Sequence, residues 1–375
     1  MTGALSGIRI VELASRVADE YCGKLLADFG AEVIKIELPG GSPTRAMGPF
    51  VKGTSALFAF LNTNKKSVVL DPARVGDNAL LHRLLATANG LIDGHDEPWG
   101  EAAQHPHLVH CSITPFGQGA PKAWQKAQAI NVMAAGGWAY HTPSEAAPDM
   151  PPLKGAGRFL PDYEAGIDAA LAMLASLHRQ RSSREGQFID ISQVEVQLNR
   201  TDAVLGRMLA GEAEPGPERG KYDMGGPATV FACKDGLFYL FMTTKGHWAS
   251  LLTLMGNPEW AANFPADWLE FHCTPDRVAD FRAHFRPWAA EQLKAEISES
   301  GQRLGLAMVQ VNDASDLHYN PQFAHRGYFQ RLDHPVLGEA TYPTVPYKMS
   351  ATPVKLTSPA PALGQHDGEL RDAPA

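Results

Sequence analysis

Cysteine is scarce in this chain: Cys22, Cys111, Cys233 and Cys273 are scattered, with no C-x-x-C pair among them. That spacing removes the case for a zinc site or a disulfide framework and leaves small, reduced, buried thiols as the reading. Positive charge is also short. Lys and Arg number 33 against 41 Asp and Glu, a formal charge of -8, and no basic block exists that would follow a phosphate backbone. Nucleic acid is not an expected partner. No apolar run is long enough to cross a bilayer, and Met1 to Gly7 lacks the basic start and apolar run of a secretory leader. A cytoplasmic protein without membrane contact is the expectation. The first β-α junction reads ASRVADEY, without the G-x-G-x-x-G that lets backbone approach a pyrophosphate, so no nicotinamide or flavin cofactor is expected.

What is present is 375 residues, 44% hydrophobic and 20% charged, enough for a large core and two domains. Apolar runs alternate with periodic apolar positions from the start. Residues 7–13 read as a strand, 20–29 as a helix ended by Gly30, and 31–38 as a second strand. The alternation continues through 67–71, a helix near 77–87, and strands at 91–94 and 108–114, the pattern of a mostly parallel sheet covered by helices. From Asp162, Ile167, Leu171, Leu174 and Leu177 recur at helical spacing, QFIDIS at 187–192 returns as a strand, and a further helix runs through Leu209. Residues 211–227 look like a linker, followed by a hairpin turning at Lys234-Asp235-Gly236. Helical segments fill 247–304, and the proline-rich end from about 320 is expected to lie over a surface.

Six blocks carry a resemblance: 5–41 (LSGIRIVELASRVADEYCGKLLADFGAEVIKIELPGG), 61–71 (LNTNKKSVVLD), 112–121 (SITPFGQGAP), 161–192 (PDYEAGIDAALAMLASLHRQRSSREGQFIDIS), 320–338 (NPQFAHRGYF with DHPVLG) and 363–366 (LGQH). In this order they resemble the class III CoA-transferases, which include formyl-CoA and carnitine CoA-transferases. The resemblance implies an α/β fold with a Rossmann-like large domain (1–210 plus 320–375), a linker (211–224), a smaller α+β domain (225–319), and an interlocked-ring homodimer. It implies transfer of CoA from an acyl-CoA to a carboxylic acid. Coenzyme A then takes part as a portion of donor and product, with no tightly bound cofactor and no metal.

The family's nucleophilic aspartate precedes a glycine by four residues, which Asp162-Tyr163-Glu164-Ala165-Gly166 matches. Taken alone, an aspartate at that place is an ordinary helix N-cap. Gly225 and Gly226 fall where the family has a glycine loop over the intermediates, Lys65 and Arg45 match cations near the CoA phosphates, and Ser15, Arg16, Val17 and Ala18 match the stretch lying against CoA. The chain departs from the family at Ala18-Asp19-Glu20, where Ala-Gly-Pro is common, and so sets two acids near a polyphosphate; its loop LIDGHDEPWG also lacks the usual Asn-Phe. Glu164 and Asp168 read as solvated helix residues suited to a positive helix end. Tyr140, Tyr222, Met224 and Trp248 are candidates to line an acceptor pocket, although a place in the core or on the surface is the commoner role of such side chains. Two rival readings remain. An α-methylacyl-CoA racemase needs a histidine base where Ile130 stands beside Asn131, with His141 as substitute, and a non-catalytic CoA-binding homologue needs neither base.

Overall fold

The computed structural model of the protein describes residues 3–141, 158–200, 206, 209–211 and 227–372. Chain contacts divide it into two units, the first built from both ends of the chain and resuming at Arg326, the second ending at His325.

The first unit runs β1 (Arg9–Leu13), α1 (Val17–Asp28), β2 (Glu32–Glu37), the short hairpin β3 (Phe50–Val51) and β4 (Thr54–Ser55), α2 (Ala56–Leu61), β5 (Lys65–Val69), α3 (Val75–Ala86), β6 (Gly90–Asp93), β7 (Val109–Thr114), α4 (Ala129–Ala135), α5 (Trp138–His141), α6 (Leu160–Ser183), β8 (Gln187–Ser192) and α7 (Gln193–Asn199). Six strands form one parallel sheet in the order β5-β2-β1-β6-β7-β8. Strand order reverses between β1 and β6, and the loops leaving those two strands face one crevice, where α/β sheets receive ligands.

Alternate residues of each strand feed opposite layers. Ile10, Val33 and Ile92 pack under α1 and α6, whereas Val11, Ile34 and Leu91 meet Leu81 and Leu85 of α3 on the other face. The α1 face also carries charges. Glu12, Lys35 and Lys65 point from adjacent strands toward Glu20 of α1, and all four side chains are almost wholly buried. Lys35 Nζ sits 3.0 Å from Glu12 Oε1 and 2.7 Å from Glu20 Oε1, and Lys65 Nζ sits 2.8 Å from Glu12 Oε2. Thr44 and Asn62 donate to Glu20 as well. Burial alone would raise the Glu20 pKa, but Lys35 and Lys65 hold it below its ordinary value. Gly23 is glycine for a local reason: a Cβ there would lie 1.8 Å from the Glu12 carboxylate.

Helix α1 begins at Val17, three residues before the sequence predicts. Asp19 at the third helical position accepts the backbone N–H groups of Ser15 (3.0 Å) and Arg16 (2.8 Å) through one oxygen, which closes the first turn early. Along its flank runs α6, presenting Ala165, Gly166, Ala169 and Ala170. A Cβ on Gly166 would stand 2.9 Å from the Ala18 carbonyl oxygen, so the two helices approach at a distance that glycine permits.

The end of the chain returns to the first unit. His366 N–H donates to Ser67 O (2.9 Å), Ser67 N–H to His366 Nδ1 (3.1 Å), and Val69 N–H to Asp367 (2.8 Å), so the LGQH segment closes the free edge of β5. The sequence reading of a surface-covering tail fits this placement.

The second unit has a three-stranded antiparallel sheet of Thr229–Cys233, Gly236–Phe241 and Ala307–Val311, with a hairpin turning at Lys234-Asp235. Helices Lys245–Met255 and Pro275–Ala290, with the segment 259–271 between them, supply its aromatic core, in which Trp248 is buried among Trp260, Phe264, Trp268 and Phe281. Trp248 therefore serves the packing of this unit; it does not line an open pocket. No helix among the described residues is long and apolar enough to cross a membrane.

Replacing Lys35 with Met removes one member of a buried ionic cluster and leaves its carboxylates underpaired. Stability is expected to fall by about 3–5 kcal/mol, read as a lower urea midpoint at unchanged slope. Arg303→Met, which breaks an exposed pair with Glu299, is expected to change it by less than about 1 kcal/mol.

Candidate active site

Asp162 occupies the third position of α6, with Phe159 as the N-cap residue, so its carboxylate is not the cap of its own helix. It is 7% exposed. Two donors from other elements reach it: the Gln193 amide at the start of α7 (Nε2 to Oδ1, 3.3 Å) and the backbone N–H of Ala18 in the first turn of α1. Burial pushes its pKa up to about 6, against the pull of Gln193, the Ala18 N–H and the Arg16 guanidinium. A carboxylate so placed is poorly hydrated, fixed by donors and close to neutrality in its titration. Those are the properties of a carboxyl nucleophile.

The spacing D-Y-E-A-G acquires its physical reason here. Gly166 stands one turn below Asp162 on the same face of α6, and its missing side chain lets α6 settle on the Ala18 backbone. The carboxylate one turn above then meets the Ala18 N–H. Gln193 was not read from the sequence; its only signal is its place directly after the QFIDIS strand, at a strand-to-helix junction beside the crevice.

Ser15 and Arg16 are brought to the same place. The Ser15 hydroxyl donates to Gly94 O, and the Arg16 guanidinium donates to Gly94 O, to Asp96 and to Gln125 O (3.1 Å), tying together the loops that follow β1, β6 and β7. Asp96 and Gln125 also line a cleft of about 550 Å³ with Glu97, Gln118, Lys122 and Lys126. Val17, Tyr21, Tyr163 and Phe159 form an apolar cluster at the α1–α6 end.

The other cations lie elsewhere. Lys65 is 3% exposed, and its ammonium meets Glu12, the Glu20 carbonyl (2.7 Å) and Asn62 (3.0 Å), which uses all three of its protons. Arg45 makes a two-pronged pair with Glu37 (2.7 Å each), donates to Pro361 O and stacks on Phe58. Neither is brought to Asp162. The two acids that seemed unhelpful to a polyphosphate face inward. Glu20 belongs to the cluster with Lys35, and Asp19 is fully buried, with burial as the main reason its pKa rises to about 7. Glu164 and Asp168 are also not free in solvent: Glu164 takes the Gln197 amide, and Asp168 holds Arg200 at 2.8 Å and 3.1 Å.

A further group was not anticipated. Asp93, wholly buried at the end of β6, accepts from His95 (2.6 Å), His110 (2.9 Å) and the Trp99 N–H (2.7 Å). It fixes the loop that presents Gly94 and Asp96 to Arg16. Gly225, Gly226, Tyr222 and Met224 lie outside the described residues, as do the side chains of Tyr140 and His141. Ile130 is 43% exposed on α4. No histidine bonds to Asp162 among the described residues.

Residues 5–367 match CoA-transferase family III. The succinate–glutarate CoA-transferase of Agrobacterium fabrum is 30% identical over 98% of this chain and 94% of its own length. A subunit of the succinyl-CoA:(R)-benzylsuccinate CoA-transferase of Thauera aromatica is 27% identical over 97% and 93%. Among solved structures, a CAIB/BAIF family protein from Brucella suis superposes with a TM-score of 0.82 at 26% identity, covering 99% of both chains. With its sheet, its α1 N-terminus turned on a buried aspartate, and a match over nearly its whole length, the chain belongs to CoA-transferase family III and is an enzyme of that kind.

Proposed function

We propose that the protein moves CoA from succinyl-CoA, or a similar acyl-CoA, to a second carboxylic acid, with Asp162 as the nucleophile. The observation that carries this is the Asp162 carboxylate, buried and bonded by Gln193 and by the Ala18 N–H. The names of the relatives support the substrate class, since succinyl-CoA or succinate is paired with glutarate in one and with benzylsuccinate in another.

In this reading an Asp162 oxygen attacks the thioester carbonyl, giving a mixed anhydride and CoA thiolate. The thiolate attacks the Asp162 acyl carbon, which releases the donor acid as its carboxylate and leaves an aspartyl-CoA thioester. The acceptor carboxylate attacks that thioester, again giving an anhydride and thiolate. The thiolate then takes the acceptor acyl group, and the Asp162 carboxylate is restored. No net proton is taken up or released. The Ala18 N–H, at the positive end of α1, would meet the oxyanion that forms on Asp162 when thiolate or acceptor attacks its acyl carbon. Ser15, Arg16, Val17 and Ala18 form the CoA-facing turn. Lys122 and Lys126 at the cleft supply cations for the phosphates, and Gly225 and Gly226 belong to the covering loop. Arg45 and Lys65 act at one remove, by fixing β2, β5 and α1. An interlocked homodimer is part of the proposal.

Racemisation is the weaker alternative, because no histidine base accompanies Asp162 among the described residues.

Asp162→Asn is expected to reduce CoA exchange by at least about 10³-fold and to abolish the protein–CoA adduct seen by mass spectrometry after mixing with acyl-CoA; exchange at the original rate would overturn the proposal. The same variant is expected to be more stable than wild type near pH 8. The folded-state pKa, about 6, exceeds the unfolded value, so this group's contribution is full at low pH and lost as pH rises through 6. The gain, on the order of 1–3 kcal/mol in denaturant midpoints, should shrink toward pH 4. Because only the carboxylate attacks, kcat/KM is expected to fall tenfold per pH unit below about 6.

A further inference from the structure

A dicarboxylic acyl group poses an electrostatic problem at this site. While one of its carboxyls is joined to Asp162, the other keeps its charge, and the nucleophile is already buried and poorly hydrated. A second carboxylate in such surroundings requires a cation with matching donors.

Most internal cations near α1 cannot serve. Lys35 and Lys65 are fully engaged with Glu12 and Glu20, Lys24 is buried against Asp28 and Thr63, and Arg45 holds Glu37. Arg16 differs in three respects. Its field reaches Asp162 and lowers the proton affinity of that carboxyl. Its guanidinium is located by two main-chain acceptors, Gly94 O and Gln125 O, which fix it whether or not a ligand is present. Besides a long bond to Ser15 Oγ (3.4 Å), its other partner, Asp96, is a half-exposed side chain on the cleft, and the Arg16 Nε–H has no acceptor among the described residues. An incoming carboxylate can thus replace Asp96 without disturbing the frame. Arg16 is also two residues from Ala18, so one turn of backbone carries both a donor for the reacting carbonyl and a cation for a group further along the acyl chain. The phosphates of CoA are less suited to this place, since the pantetheine arm separates them from the reacting sulfur.

We propose that Arg16 selects dicarboxylic acyl groups, its guanidinium exchanging Asp96 for the free carboxylate of the acyl unit held on Asp162. This rests on the CoA-transfer reading above and names the residue that sets its substrate class.

The test compares two substrate pairs of equal chain length, succinyl-CoA with glutarate and butyryl-CoA with valerate, by the ratio of their kcat/KM values. Arg16→Met is expected to lower the ratio about 10- to 100-fold, the loss of a hydrogen-bonded charge pair. Asp96→Asn, which frees Arg16, is expected to raise it severalfold. If Arg16→Met does not fold, Arg16→Lys, which keeps the charge and loses the fork, is expected to lower the ratio by a smaller factor, and Asp96→Asn still reads in the opposite direction. A structural role would move both pairs together, so an unchanged ratio in these variants overturns the assignment. So does a wild-type enzyme that prefers butyryl-CoA. Wild type that forms no CoA adduct with either pair overturns the transferase reading itself, and the Arg16 assignment with it; an adduct with an unmoved ratio overturns only Arg16.

Discussion

The Glu20 carboxylate, one turn into α1, meets the Lys35 ammonium at 2.7 Å with both side chains almost wholly buried. Charges removed from water this way depend on each other and on the few polar groups around them, so any displacement of α1 along or away from the sheet would leave them underpaired. Glu12 and Lys65 extend the cluster across β1 and β5, and the four formal charges cancel. From the side, Gly166 lets α6 rest against the Ala18 carbonyl. The α1 N-terminus is thereby fixed along two directions, and the Ala18 N–H that meets Asp162 is located by contacts several residues removed from the reaction. A nucleophile drawn from a carboxylate depends on such rigidity, because its reactivity comes from keeping water out and donors in place.

The same arrangement explains how the turn after β1 tolerates Asp19 and Glu20. Neither faces the crevice. Asp19 closes the first turn of the helix and Glu20 anchors the second, so two acids that look hostile to a phosphate ligand act as fasteners of the helix whose end would serve that ligand. Gly94 follows from this choice, since a Cβ there would collide with the Asp19 carboxylate at 2.0 Å.

The sheet and the close contact of α6 beside Asp162 were legible because each leaves a local trace. Buried parallel strands write apolar runs such as GLID and VHCSIT, and the helix-on-helix contact writes a glycine four residues after Asp162. The cations were not legible in the same way. Lys65 lies 53 positions from the Glu12 that claims it, and no periodicity reports a pairing across that separation. The available trace was subtler: a Glu inside RIVEL and a Lys inside EVIKIE, charges within strands otherwise fit for burial on both faces, which call for partners inside. Trp248 could be read either way for the opposite reason. An aromatic on an amphipathic helix looks the same whether the space it faces is a cavity or other aromatic rings, and here the rings of Trp260, Phe264, Trp268 and Phe281 fill it.

The bonds between Ser67 and His366 join segments 299 positions apart, and they seal the outermost strand of the sheet. During synthesis all six parallel strands leave the ribosome well before the segment that closes their border. Until then β5 presents an open row of peptide groups to whatever is nearby. The order of translation thus imposes a waiting period on this enzyme, and a nascent chain that stalls after α6 would carry the Asp162 helix beside an adhesive, unfinished rim.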